Sequence, residues 1–219
     1  MHFEILVEDQ SGKKALDQIV PRILVSDHSY RILPYKGLGR LPKDMRPKSR
    51  ASKRVLLDQL PRLLKGYGSV PDYAGRFIVV ICDLDDNNKD SFLQELNDVL
   101  EACNPKPEAC FCLAIEELEA WYLGDLPAVL ESYPNAKNSV LNSYSNDSIC
   151  GTWELLADAV YKGGSKELKK RGTQAIGLQK NVWADIIATK MDVENNESPS
   201  FRYFRDKLRN IASSSINAG

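Results

Sequence analysis

From Phe77 to Cys82 the chain is apolar without a break, Phe-Ile-Val-Val-Ile-Cys, and the run ends on an acid, Asp83. A stretch with no polar face reads as a strand covered on both sides, as in a parallel sheet held between helices. Phe3–Glu8 reads as a further strand that ends in an acid, and Ala109–Ile115 as another buried strand that runs directly into acids. Helical apolar spacing fills the gaps at Lys13–Leu24, Val55–Leu64 and Ser91–Cys103, and the last strand leads straight into a helix expected over Glu116–Leu123. A short strand is expected at Tyr30–Tyr35, where Pro34 argues for a peripheral position. The alternation implies an α/β fold: a mostly parallel four-stranded sheet with helices on both faces. Beyond about residue 125 strand signals stop. Helices are expected near Trp153–Tyr161, Leu178–Thr189 and Ser200–Ile211, so residues 1–125 form an α/β core and 126–219 a helical C-terminal extension packed on it as one structural unit.

The 219 residues suit this plan, since 43% are hydrophobic, enough for a substantial core. The net charge of −1 gives no bulk pull toward nucleic acid or membrane, so any such signal must be local. No run approaches the length of a membrane-spanning helix, and the start reads as a strand rather than a leader. Five cysteines without a CxxC pair point to a reducing, cytoplasmic setting, and Cys110 and Cys112 should share one strand face as small buried residues.

Ligands of open parallel sheets bind beyond the carboxyl ends of the strands. Three such ends carry acids here: Glu8, then Asp83-Leu-Asp85, then Glu116 and Glu117 with Glu119 close behind. If the chain stays extended past Asp83, the Asp83 and Asp85 carboxylates point the same way. Gathered carboxylates repel one another unless protonated or neutralised by a cation, and an all-oxygen set suits Mg²⁺ or Mn²⁺. Single acids at strand ends are also common helix caps, and Asp86, Asn87, Asn88 and Asp90 are read as cap candidates for the next helix.

Ile5-Leu-Val-Glu8 and Val80-Ile-Cys-Asp-Leu-Asp85 resemble the Toprim fold of topoisomerases, primases and overcoming-lysogenization-defect (OLD) nucleases. Along nearly the whole chain, Ile115-Glu-Glu-Leu-Glu-Ala-Trp-Tyr-Leu-Gly-Asp125 and Glu197-Ser-Pro-Ser-Phe201 are similar to an uncharacterised bacterial Toprim-like family, often encoded beside ABC-type ATPases in anti-phage modules. The resemblance implies a Toprim-like fold and a metal-dependent nuclease, the effector half of an ATPase pair. It makes Glu8 a metal ligand or general base and Asp83 and Asp85 metal ligands. It aligns Glu117 and Glu119 with a pair of acids, of which Glu117, nearer the strand end, is preferred because two residues apart on a helix diverge by about 200°. Trp121 is read as core. The lysine that OLD-type nucleases use late in the domain corresponds by rough position to Lys180. The chain departs from those nucleases after Glu8, where Asp9-Gln-Ser precede Gly12.

Two segments are strongly basic. Residues 36–54 hold Lys36, Arg40, Lys43, Arg46, Lys48, Arg50, Lys53 and Arg54 against Asp44 alone, and Lys162, Lys166, Lys169, Lys170 and Arg171 face only Glu167. Such clusters neutralise phosphates, and the first is read as a nucleic-acid contact; the plain alternative is a solvated loop or a docking surface for an acidic partner. No nucleotide-binding glycine loop follows a strand, and neither His2 nor His28 forms a catalytic pair. The expected function is hydrolysis of a phosphodiester in DNA or RNA. The alternative is an inactive binding or sensor subunit acting through a partner ATPase. A haloacid-dehalogenase-like phosphatase fits less well, because Asn87 stands where that family carries Thr or Val.

Overall fold

A computed structural model describes residues 1–24, 27–42, 54–70, 75–148 and 151–216. Four strands, β1 (His2–Val7), β2 (Ser29–Pro34), β3 (Arg76–Asp83) and β4 (Ala109–Ala114), form one sheet in the order β2-β1-β3-β4. Every neighbouring pair is parallel; Ile5 lies beside Ile32 on one side and Val79 on the other, and Asp83 beside Ala114. The Pro34-bearing strand is at the edge, where a missing N–H costs no ladder bond.

The strands are joined by α1 (Gln10–Ile23), α2 (Leu56–Gly68) and α3 (Lys89–Glu101). Asp9 starts α1: its carboxylate accepts the Gly12 N–H at 2.7 Å and the Ser11 hydroxyl. The unusual Asp-Gln-Ser-Gly turn after Glu8 is thus an ordinary helix N-cap. Asn88 is the cap of α3, accepting from the Asp90 and Ser91 amides. Pro61 sits inside α2 without ending it.

Phe3, Ile5, Val7, Val79, Ile81, Cys110 and Cys112 point to one face and Leu6, Ile78, Val80, Cys82, Phe111 and Leu113 to the other. The second face is covered by α2 and α3. The first is covered by α1 and by the C-terminal helices α4 (Glu119–Leu123), α5 (Leu126–Ser132), α6 (Asn138–Leu141), α7 (Thr152–Val160), α8 (Gly164–Lys170), α9 (Thr173–Ile187) and α10 (Pro199–Ile216). This apolar cluster is continuous from Phe3 to Ala212, so both halves of the chain share it.

The two sequence signatures meet in that layer. Trp121 is fully buried, stacked on Phe204 with ring centres 5.0 Å apart, and its indole N–H donates to the Ser200 hydroxyl at 3.0 Å. Asp147 accepts from the Ser200 amide and the Ser198 hydroxyl, both at 2.7 Å, and Asn196 donates to the Trp121 carbonyl. Gly124 lies so close that a Cβ there would stand 2.5 Å from Asn196 Oδ1. The tryptophan and serine motifs therefore clamp the start of α10 to α4.

Candidate active site

The chain leaves β1 through α1 on one face toward β2, and leaves β3 through α3 on the other face toward β4. The connections part above the ends of β1 and β3, which opens a crevice there. Glu8 follows β1 and Asp83 ends β3, so the topology alone places both acids at this opening.

Asp83 continues the alternation of Val79 and Ile81 and projects toward the α1 and α9 side. The chain does not stay extended beyond it. Asp85 takes a left-handed conformation, φ +47°, and its side chain is exposed, so the two aspartates of the motif do not present parallel carboxylates. The turn at Asp85 is fixed by its N–H donating to the Glu116 carbonyl at 3.0 Å; Glu116 is itself left-handed, φ +62°. Two non-glycine residues in this region are joined directly across the ends of β3 and β4, a local strain of the kind that gathers at functional sites.

Burial, then repulsion from Asp85 and Asp9, raises the Glu8 carboxyl from 4.5 to about 7, although the Leu38 amide partly offsets this. Its Oε2 is buried with no hydrogen-bond partner. Asp83 is held well above the usual carboxylate range by burial and by Glu8, with Lys180 pulling the other way. Asp85, although turned outward, is raised by partial desolvation at the protein surface and then by Asp86.

The third strand end differs from the sequence expectation. The helix starts at Glu119 rather than Glu116, and residues 116–118 form a turn. The helical divergence of Glu117 and Glu119 therefore does not apply. Both reach Lys180 of α9: its ammonium is 3.0 Å from Glu117 Oε1 and 3.3 Å from Glu119 Oε2, with all three side chains at most 19% exposed. Burial alone would lower the Lys180 pKa, but Glu119, Glu117 and Asp83 together carry it above its ordinary value. Glu117 rises to about 7 through burial and Glu119, against the pull of Lys180. Glu116 turns away and caps α7, its carboxylate accepting the Gly151 and Thr152 amides at 2.8 and 2.9 Å. Thr152 Oγ1 then stands 3.5 Å from Glu117.

The partnership of Glu119 with Lys180, the cap by Glu116 and the approach of Thr152 are absent from the sequence reading. One signal was available: Lys180 is the only cation from Thr173 to Ala188, on an otherwise largely apolar helix. Of the first basic segment, Lys36, Arg40 and Arg54 are described, while Lys43, Arg46, Lys48, Arg50 and Lys53 lie outside the described residues. Arg54 sits over the Tyr35 ring, 5.6 Å from its centre, and donates to the Pro34 carbonyl. Arg40 lines a cavity of about 860 Å³ that has Asp85, Asp86 and Asn87 on its wall.

Among the described residues no group of three or more His, Cys, Asp or Glu side chains is arranged to hold a metal ion. Lys180 draws Glu117 and Glu119 to itself, and Asp85 is turned outward. The donor chemistry nevertheless suits a hard divalent cation: Glu8, Asp83, Asp85, Glu117 and Glu119 offer only oxygens, Lys180 is the cation paired among them, and Glu8 Oε2 has no partner.

Residues 7–209 match the model of a family described as a domain of unknown function, DUF4276. No curated protein and no solved structure matches the chain.

Proposed function

The chain belongs to the DUF4276 family, and we propose that it is a Toprim-like, Mg²⁺- or Mn²⁺-dependent nuclease that hydrolyses phosphodiesters of DNA or RNA in the cytoplasm. The observation that carries this reading is the concentration of half-buried acids with raised pKa values at the sheet's switch point, one of them with an unpartnered oxygen. Glu8, Asp83 and Asp85 would hold the ion; when bound, it supplies polarisation of a phosphoryl oxygen and eases ionisation of the attacking water. In the metal-free site Glu8 is raised to about 7, and it would give up its proton as the cation binds. Lys180 faces the charge that builds on the phosphate, and Glu117 and Glu119 hold its ammonium in place. The likeness to ATPase-linked anti-phage proteins extends the proposal to a partner ABC-type ATPase.

The test is cleavage of DNA and RNA by the pure protein with Mn²⁺, alone and with the product of any ABC-type ATPase gene found beside its own. The Asp83→Ala variant is expected to lose about 100-fold or more of the rate. Equal rates in the two proteins would remove the assignment.

One observation favours a second reading, a metal-free binding or sensor subunit. Glu117 and Glu119 already have a counter-charge in Lys180, so this part of the cluster needs no ion for neutrality. Titration calorimetry separates the two readings: no heat with Mn²⁺, together with retained nucleic-acid binding, selects the subunit.

A further inference from the structure

Resting on the nuclease reading, we propose that the outer surface of α7 and α8 is the track along which the phosphodiester backbone of a nucleic acid reaches the carboxylate cluster. Lys162, Lys166, Lys169, Lys170 and Arg171 fall within ten residues and all are exposed. The chain turns between the two helices at left-handed Gly163 and Gly164, and the Ser165 amide donates to Asp158 at 2.6 Å. That turn folds α8 back along α7, so that Lys169 meets Glu154 in the first turn of α7 at 3.1 Å. The same first turn touches the site, through Thr152 on Glu117 and through the amides held by Glu116. The end of α8 that carries Lys169, Lys170 and Arg171 thus lies beside the acids, while Lys162 lies toward the far end of a helix about 13 Å long.

The acids on this surface do not cancel its charge. Asp158 is engaged by the Ser165 amide, Glu154 by Lys169, and Glu167 is shared between Lys170 at 3.8 Å and Arg171 at 3.5 Å. Exposed pairs of this length contribute little and give way readily to a phosphate. Among the described residues Lys162 and Lys166 have no ion-pair partner. Lys169 lies over the Trp153 ring and Arg171 over the Tyr161 ring, 5.5 and 5.8 Å from their centres, which holds these cations at the surface. A membrane surface would call for exposed apolar anchors, but Leu168 of α8 is buried, and Trp153, Leu155, Val160 and Tyr161 of α7 and its end are half-buried against the core. A row of cations ending beside acids suited to phosphate chemistry fits a polyanion that runs through the site.

The test is fluorescence anisotropy of a labelled single-stranded oligonucleotide in EDTA, so that binding is read apart from cleavage. The combined Lys162→Ala, Lys166→Ala, Lys170→Ala variant is compared with Lys65→Ala, Lys106→Ala, Lys190→Ala, three exposed lysines elsewhere. The track variant is expected to bind about tenfold more weakly than wild type, with a salt dependence shallower by about 2 in log–log slope, and the control to bind normally. Equal binding by the two variants overturns the track, as does a wild-type protein that binds acidic phospholipid vesicles but not the oligonucleotide. A protein that cleaves nothing but loses affinity in the track variant keeps the track and removes the nuclease reading.

Discussion

At the scale of single residues, the raised carboxyls make a definite pH statement. Glu8 and Glu117 titrate near 4.5 when unfolded and about 7 when folded, so between those values the folded protein holds more protons than the unfolded chain. Their contribution is fully present below 4.5 and is lost as pH rises through 7. The metal-free protein should therefore lose stability to urea from pH 4.5 to 7, and Glu8→Gln with Glu117→Gln should flatten that fall. Lys180→Met should destabilise by about 3 kcal/mol at pH 8, where its partner Glu117 is charged. The loss should be smaller at pH 5, where Glu117 carries a proton; denaturation at the two pH values measures the difference. Glu8 and Asp83 were legible in the sequence because an acid after an apolar run must emerge at a strand end. The outward turn of Asp85 was not, since it depends on a hydrogen bond to Glu116, which is remote in sequence and local only once β3 and β4 pair.

Among the elements, the strands and long helices could be read because each carries an apolar pattern over two turns or more. The short helices α5, α6 and α8 have too few residues to establish a period, and the start of α4 was displaced by the turn at Glu116. That turn is testable. Glu116→Ala removes the acceptor for two α7 amides and keeps the left-handed backbone, so it should cost about 2 kcal/mol. Glu116→Gly removes the same carboxylate but relieves φ +62°, and should cost less; chemical denaturation of the two variants gives the order. Gly124→Ala should be worse for its size than either, because its methyl has no room beside Asn196 and Ser198. Its expected signature is a fall in Tm of several degrees. The glutamate-tryptophan and serine-proline signatures were read as family marks; their physical reason, the clamp between α4 and α10, needed the fold.

On the scale of the whole molecule, the parallel sheet and its two helical layers followed from the alternation of apolar runs, whereas the depth to which the C-terminal helices enter the core did not. Trp121 and Tyr122 are covered by residues from both halves, so a chain cut at residue 125 would expose a large apolar face. Such a fragment should aggregate or lack dispersed NMR signals, while the 219-residue chain should unfold in one cooperative step. No helix among the described residues is long and apolar enough to cross a membrane. The placement of Lys180 has a temporal consequence as well. The acids of the cluster are all synthesised by residue 119, but the lysine that balances two of them is made some sixty residues later. Until α9 leaves the ribosome Glu117 and Glu119 lack the ammonium that pairs them, so the nascent chain carries an incomplete site, and the arrival of one late side chain marks its completion.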